Sequence, residues 1–206
     1  MNTVTEDTHT PIDAEEQARA DLYGLLSRLL AAPADSELLQ GIAAIPLSEG
    51  ASAQPGENAF VHAWSALVHS AATAQAGAIA DEYHDLFVGS GRAEVTLYTG
   101  AYTARSSVET QLVALREYLA AQGLQRQTGV HEPEDHLAIL FEIMRYLIAE
   151  ARHGVEQQKT FFNRFLGPGG LLLCDAITAH PRAQFYRLVA NLTKSFLSVE
   201  HDAFDM

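Results

Sequence analysis

The sequence predicts an all-α fold: a single-domain helical bundle of about eight to ten helices. Three observations lead there. Apolar residues recur at three- and four-residue spacing through almost the whole chain, the period of a helix with one buried face. Alternation of the kind a half-buried strand needs is confined to a few residues at "VTLY", 95–98. Pro33, Gly89 and Gly154 end or interrupt the periodic stretches, as residues that punctuate helices do. At 206 residues, with 48% apolar and 19% charged side chains, the chain is long enough to bury one substantial core.

The elements follow in order. Asp13 and Glu16 form a cap before a helix with Leu22, Leu25, Leu26 and Leu29 on one side, which Pro33 ends. A short helix runs through "DSELLQGIAAI", and "PLSEGASAQPGEN" is a surface loop. Phe60, Trp64, Leu67, Val68 and Ala71 mark the next stripe, and Ile79, Tyr83, Leu86 and Phe87 another, stopped by Gly89. "GSGRAEVTLYTGAY" is the longest irregular stretch between strongly patterned ones, hence a candidate functional loop. Ser106 and Glu109 form a capping box ahead of a helix carrying Val108, Leu112, Leu115 and Leu119; Gly123 to His131 is polar. From Pro133 the longest helix is expected, central because Ile139 and Ile143 widen its apolar face beyond Leu137, Leu140, Phe141, Met144 and Leu147. Gly154 interrupts the pattern, "FFNRFLGPGG" ends a further helix, "LLLCDAITAH" is a short buried one, and Pro181 opens the last, with Phe185, Leu188, Val189, Leu192 and Phe196 inward. No internal repeat is present. Residues 1–12 are expected to be a flexible segment, 13–200 the helical domain and 201–206 a tail.

The net charge of −13 excludes sequence-independent binding to nucleic acid or anionic membrane, both of which need surplus Lys and Arg. It suits a basic peptide or protein. The single cysteine, Cys174, excludes an internal disulfide and a multi-cysteine zinc site. The N-terminus lacks the basic and apolar runs of a secretory signal, and no stretch approaches a membrane span, so a cytoplasmic protein is expected.

"HEPEDH", 131–136, is the densest cluster of chemistry-bearing residues. Pro133 suits a first helical turn, and Glu132, Glu134 and Asp135 around a helix N-terminus complement its positive end. A zincin helix needs two histidines four apart. His131 and His136 are five apart with a proline between them, which at about 100° per residue points them to different sides. Adjacent Asp135 and His136 diverge on a helix and make no oriented acid–base pair. Gly89 and Gly91 could present backbone N–H groups to an anion such as a guanine nucleotide, but P-loop spacing and its Lys-Ser or Lys-Thr ending are missing. No cofactor and no metal are expected. The alternative reading is a small helical metal- or nucleotide-dependent enzyme using His131, His136 and the Gly89–Gly91 loop.

These stretches are similar to a known family. "EYHDLFVGSG", the irregular loop with "LYTGAY", and "EPEDHLAILFEIMRYL" resemble the TorD/DmsD/NarJ family of molybdoenzyme chaperones. Tyr83, Leu86, Phe87, Gly89 and Gly91 fit its first motif. Glu132, Pro133, Asp135, His136, Leu140 and Met144 fit its second, and "FYRLVANLTKSFLSVE" resembles its C-terminal end. The likeness spans roughly residues 15–200. Ser90 replaces the family's proline, and Leu97, Gly100 and Tyr102 stand where it has Pro-x-x-Ser-x-Tyr. The resemblance implies a cytoplasmic chaperone without catalysis, monomeric or a helix-swapped dimer. It implies binding of the twin-arginine signal peptide, the immature body, or both, of a molybdopterin oxidoreductase. The peptide-binding residues it suggests are Glu132, Glu134, Asp135, His136, Leu86, Phe87, Gly89, Gly91, Tyr98 and Tyr102. Their carboxylates suit guanidinium groups, and their apolar members suit the stretch that follows the arginines.

Overall fold

In the computed structural model, residues 12–47, 55–103, 108–124 and 132–205 are described. The chain runs through α1 (Ala14–Ala31), α2 (Ser36–Ala43), α3 (Pro55–Ala71), α4 (Ala76–Tyr83), α5 (Gly100–Thr103), α6 (Val108–Ala121), α7 (Leu137–Ala149), α8 (Val155–Phe161), α9 (Gly167–Ala179) and α10 (Phe185–Asp205). Among the described residues there is no strand, only one isolated antiparallel bridge, Tyr98 to His136. The fold is the all-α bundle that the periodicity predicts.

α1 packs along α7, while α10 lies against α9 and α3. The caps are local and legible: Asp13 accepts from the N–H groups of Glu15 and Glu16, and Asp35 from that of Leu38. α7 is the inner helix, with Leu137, Leu140, Phe141, Met144, Leu147 and Ile148 essentially inaccessible. The same core includes Tyr23 and Leu26 of α1, Phe161 and Phe162, and Tyr186, Val189 and Leu192 of α10. Cys174 is buried and its thiol is pushed up by that burial, an inert small apolar residue.

Three expected boundaries move. α7 begins at Leu137 rather than Pro133, and at 13 residues it is shorter than the 21-residue α10. Pro133 sits in a turn, its carbonyl accepting from His136 N–H at 3.1 Å. The last helix begins at Phe185 rather than Pro181, because the Glu82 carboxylate of α4 reaches across and accepts the N–H groups of Gln184, Phe185 and Tyr186 at 2.8–3.0 Å. These are donors a helix start leaves orphaned. "GPGG" does not end a helix; it is the first turn of α9, reached from α8 through a π-helical turn, Phe162–Leu166. Ser106 of the proposed capping box and most of the polar stretch up to His131 lie outside the described residues, as do residues 1–11.

A second π-helical turn, His84–Val88, continues α4 and closes with Gly89 N–H on His84 C=O at 2.7 Å. The extra residue per turn leaves Leu86 wholly buried and Phe87 half-buried on the neighbouring side. Gly89 then turns the chain at φ +64°, where a Cβ would sit 2.1 Å from the Arg92 carbonyl oxygen. No other residue fits there.

Candidate functional site: a cavity at the start of α7

The irregular segment after Gly89 folds back onto the chain just before α7. Val95 N–H donates to Leu86 C=O at 2.9 Å, Leu137 N–H to Leu97 C=O at 2.9 Å, and Thr99 N–H to Asp135 C=O at 3.0 Å. The pairing holds residues 133–136 in a turn that ends with His136 extended, and pre-empts the helix start that the proline suggests. The side chains of the cluster leave this turn in different directions.

Glu132 and His136 go to one side. They line a cavity of about 390 Å³ walled by Phe87, Leu97 and Tyr98, with Ser27 and Ala31 of α1 and Ile139 and Glu142 of α7 opposite. Asp135 goes to the other side, into a second cavity of about 350 Å³ with Thr103, Gln111 and Arg164. There Gly169 allows α9 to approach, since a Cβ would meet Thr99 Cβ at 2.5 Å. Glu134 turns toward α6 and pairs with the Arg116 guanidinium, with 3.0 Å contacts from both Nε and Nη2. The three carboxylates of "HEPEDH" therefore do not converge on one point.

His136 is the N-cap of α7. Its Nδ1 accepts from Ala138 N–H at 3.3 Å, which requires Nδ1 to be unprotonated and places the ring proton on Nε2. Burial pushes the imidazole pKa down, with Glu132 opposing. Tyr98 packs edge-on against this ring at 5.3 Å between centroids and donates its hydroxyl to Glu132. Burial first and Glu132 second raise the Tyr98 pKa to about 12, so it stays a donor at neutral pH.

Asp135 is 7% exposed. Its carboxylate accepts from Gly100 N–H at 3.2 Å, and its carbonyl also accepts from Thr99 Oγ1 at 3.2 Å, so it fastens the loop. Its pKa is raised, by burial above all. A carboxyl raised in the folded state contributes most below its unfolded value near 3.8, and loses that contribution as pH rises through the folded value. Asp135→Asn keeps an acceptor for Gly100 without a charge. It is expected to be at least as stable as the parent at pH 7, with the difference vanishing below about pH 3.5. Urea unfolding at both pH values checks this; a variant weaker at pH 7 means that the charged form is the favoured one.

The remaining sequence-selected residues are close by in supporting positions. Leu86 is in the core beneath Phe87. Gly89 and Gly91, both at positive φ, shape the turn. Tyr102 is half-buried and donates to Thr96 C=O at 2.9 Å. His131 lies outside the described residues, and no group of three or more His, Cys, Asp or Glu suited to a metal occurs among those described. The sequence reading missed Ser27, Ala31, Ile139 and Glu142. Ile139 and Glu142 were discoverable, three and six residues after His136 and so on one side of α7; nothing local marks the end of α1.

Residues 53–168 match the family described as nitrate reductase delta subunit. The chain is 26% identical to the chaperone protein TorD of Colwellia psychrerythraea, over 97% of each chain. It is 25% identical to the chaperone protein TorD of Aliivibrio fischeri, over 92% of this chain and 95% of that one. In fold it is similar to a candidate redox enzyme maturation protein from Archaeoglobus fulgidus, with a TM-score of 0.52 at 16% identity, covering 94% of this chain and 99% of the other.

Proposed function

The chain belongs to the nitrate reductase delta subunit family, as a maturation chaperone of the TorD kind, and we propose that it works in the cytoplasm by holding the twin-arginine signal peptide of a molybdopterin oxidoreductase in the cavity at the start of α7. The observation that carries this reading is the cavity's chemistry. Its walls are mostly apolar (Phe87, Leu97, Ala138 and Ile139), and Glu132 and Glu142 stand exposed among its lining residues. An apolar side chain beside a guanidinium is what such a surface accepts. Burial contributes about 25 cal/mol per Å², and carboxylates pair well with the planar fork of arginine. Glu142 already contacts Arg145 at 2.7 Å and Glu132 accepts from Tyr98, so an incoming guanidinium joins carboxylates that are already hydrogen-bonded. The chain's −13 charge adds a long-range attraction for a basic segment. On this reading the protein acts by binding and release and performs no chemistry on its client. No helix among the described residues is long and apolar enough to cross a membrane.

Calorimetric titration with a twin-arginine signal peptide from an oxidoreductase encoded near this chain's gene, beside a Lys-Lys version, tests the proposal. Micromolar or tighter binding that weakens several-fold with Lys-Lys is expected. Equal binding of both peptides would remove guanidinium recognition from the reading; no binding across several such peptides would overturn it.

A further inference from the structure

We propose that Arg182, in the turn before α10, is a positioning residue for the cavity: its guanidinium closes the neck of the 86–95 loop and so holds Phe87, Val88 and Ala93 at the wall. This rests on the reading above and says what keeps the site in shape before a client arrives. The main chain closes the loop through Val95 N–H, which donates to Leu86 C=O at 2.9 Å. Leu86 and Val95 are both buried. Their chain neighbours Asp85 and Glu94 are exposed, and Arg182 joins them. Its Nη1 lies 3.5 Å from Asp85 Oδ2 and its Nη2 lies 2.8 Å from Glu94 Oε1. Between the two acids in sequence come three residues of the cavity wall, Phe87, Val88 and Ala93.

Arg182 is itself held in place. The Glu82 carboxylate takes up the N–H groups of Gln184, Phe185 and Tyr186, and Arg182 N–H donates to His180 Nδ1 at 3.3 Å. That bond leaves the imidazole proton on Nε2, which stands 3.9 Å from the same Glu94 carboxylate. Tyr186, in the first turn of α10, packs edge-on against Phe87 at 5.1 Å between centroids. The start of α10 therefore grips the loop twice, through an aromatic contact at Phe87 and an ionic one across the neck. Without the guanidinium, two carboxylates stand together at that neck, and like charges repel. Ion pairs as exposed as these add little to the stability of a whole fold. Opening of a surface loop, by contrast, is decided by its own few contacts. The loss falls on the loop and on the cavity behind it.

Three variants separate this role from a general one. Arg182→Gln removes the charge, Arg182→Lys keeps it without the planar fork, and Arg182→Glu with Glu94→Arg restores the pair with its polarity reversed. Each is compared with the wild type by thermal melting, by amide hydrogen exchange in NMR spectra, and by titration with the twin-arginine peptide. All are expected to melt with the wild type, as exposed positions allow. In Arg182→Gln the Val95 amide should exchange faster while the amides of α7 keep their protection, and Kd should rise roughly two- to fivefold. The reversed pair should recover both, and Arg182→Lys should fall between. Unchanged Val95 exchange or unchanged Kd in Arg182→Gln overturns the inference and leaves the proposed function standing. Faster exchange spread evenly over α7 and α10 overturns it too, since that marks a contribution to the whole fold. Failure of the wild type to bind any of the peptides removes the proposed function, and Val95 exchange alone then decides whether Arg182 holds the loop.

Discussion

Replacing Glu200 by alanine is expected to cost about 3–5 kcal/mol of folding stability, among the largest losses any single substitution here can cause. Glu200 lies on the inner side of α10, 3% exposed. Its carboxylate receives both Nε and Nη2 of Arg19, at 2.8 and 2.7 Å, and the Tyr23 hydroxyl at 2.8 Å. Arg19 and Tyr23 are one turn apart on α1, so a single carboxylate ties the first helix to the last. Truncation leaves a guanidinium at 19% side-chain exposure without its counter-charge, and a hydroxyl that burial already holds in the neutral state without its acceptor. The pair itself need not be a net gain over an apolar contact, and that difference is measurable. Arg19→Met with Glu200→Leu is expected to recover most of the loss, because no orphaned charge remains. Urea unfolding of the two variants decides it; a Glu200→Ala midpoint within about 0.5 kcal/mol of the parent would mean that water replaces the carboxylate freely.

That bridge is also an example of what the sequence does not announce. The helices themselves were legible, because each carries its own apolar period, and local caps such as Asp13 were legible because cap and helix are neighbours in the chain. Glu82 on the start of α10, Glu200 on Arg19, and the lacing of residues 95–100 onto 133–137 join positions dozens of residues apart, and no local pattern records them. The same lacing explains why the starts expected at Pro133 and Pro181 moved to Leu137 and Phe185. In both places, long-range hydrogen bonds take up backbone groups that a local reading assigns to a first helical turn. "HEPEDH" was legible as a site and illegible as a geometry. A helix would have fanned its acids around one end; the turn before α7 leaves Glu132 and Asp135 lining different cavities and Glu134 on Arg116.

Ala31→Trp is expected to reduce affinity for the twin-arginine peptide by roughly 10- to 100-fold without loss of stability. Ala31 is the last residue of α1, exposed, and on the cavity wall opposite Tyr98 and His136. An indole there occupies volume that a client side chain would fill. Fully burying a leucine-sized side chain is worth about 1.5–3 kcal/mol, which sets the size of the loss. Because the position is solvent-facing at a helix end, folding stability should stay within about 0.5 kcal/mol. Ala31→Ser, which leaves the space open, should bind as the parent does. The substitution acts on volume alone, so it tests the place of binding independently of any hydrogen bond or ion pair. If the tryptophan variant folds and binds the peptide with unchanged affinity, the client segment lies elsewhere on the bundle, whatever its chemistry. If binding is lost while the serine variant keeps it, the wall between the end of α1 and the start of α7 is where the client's apolar stretch rests.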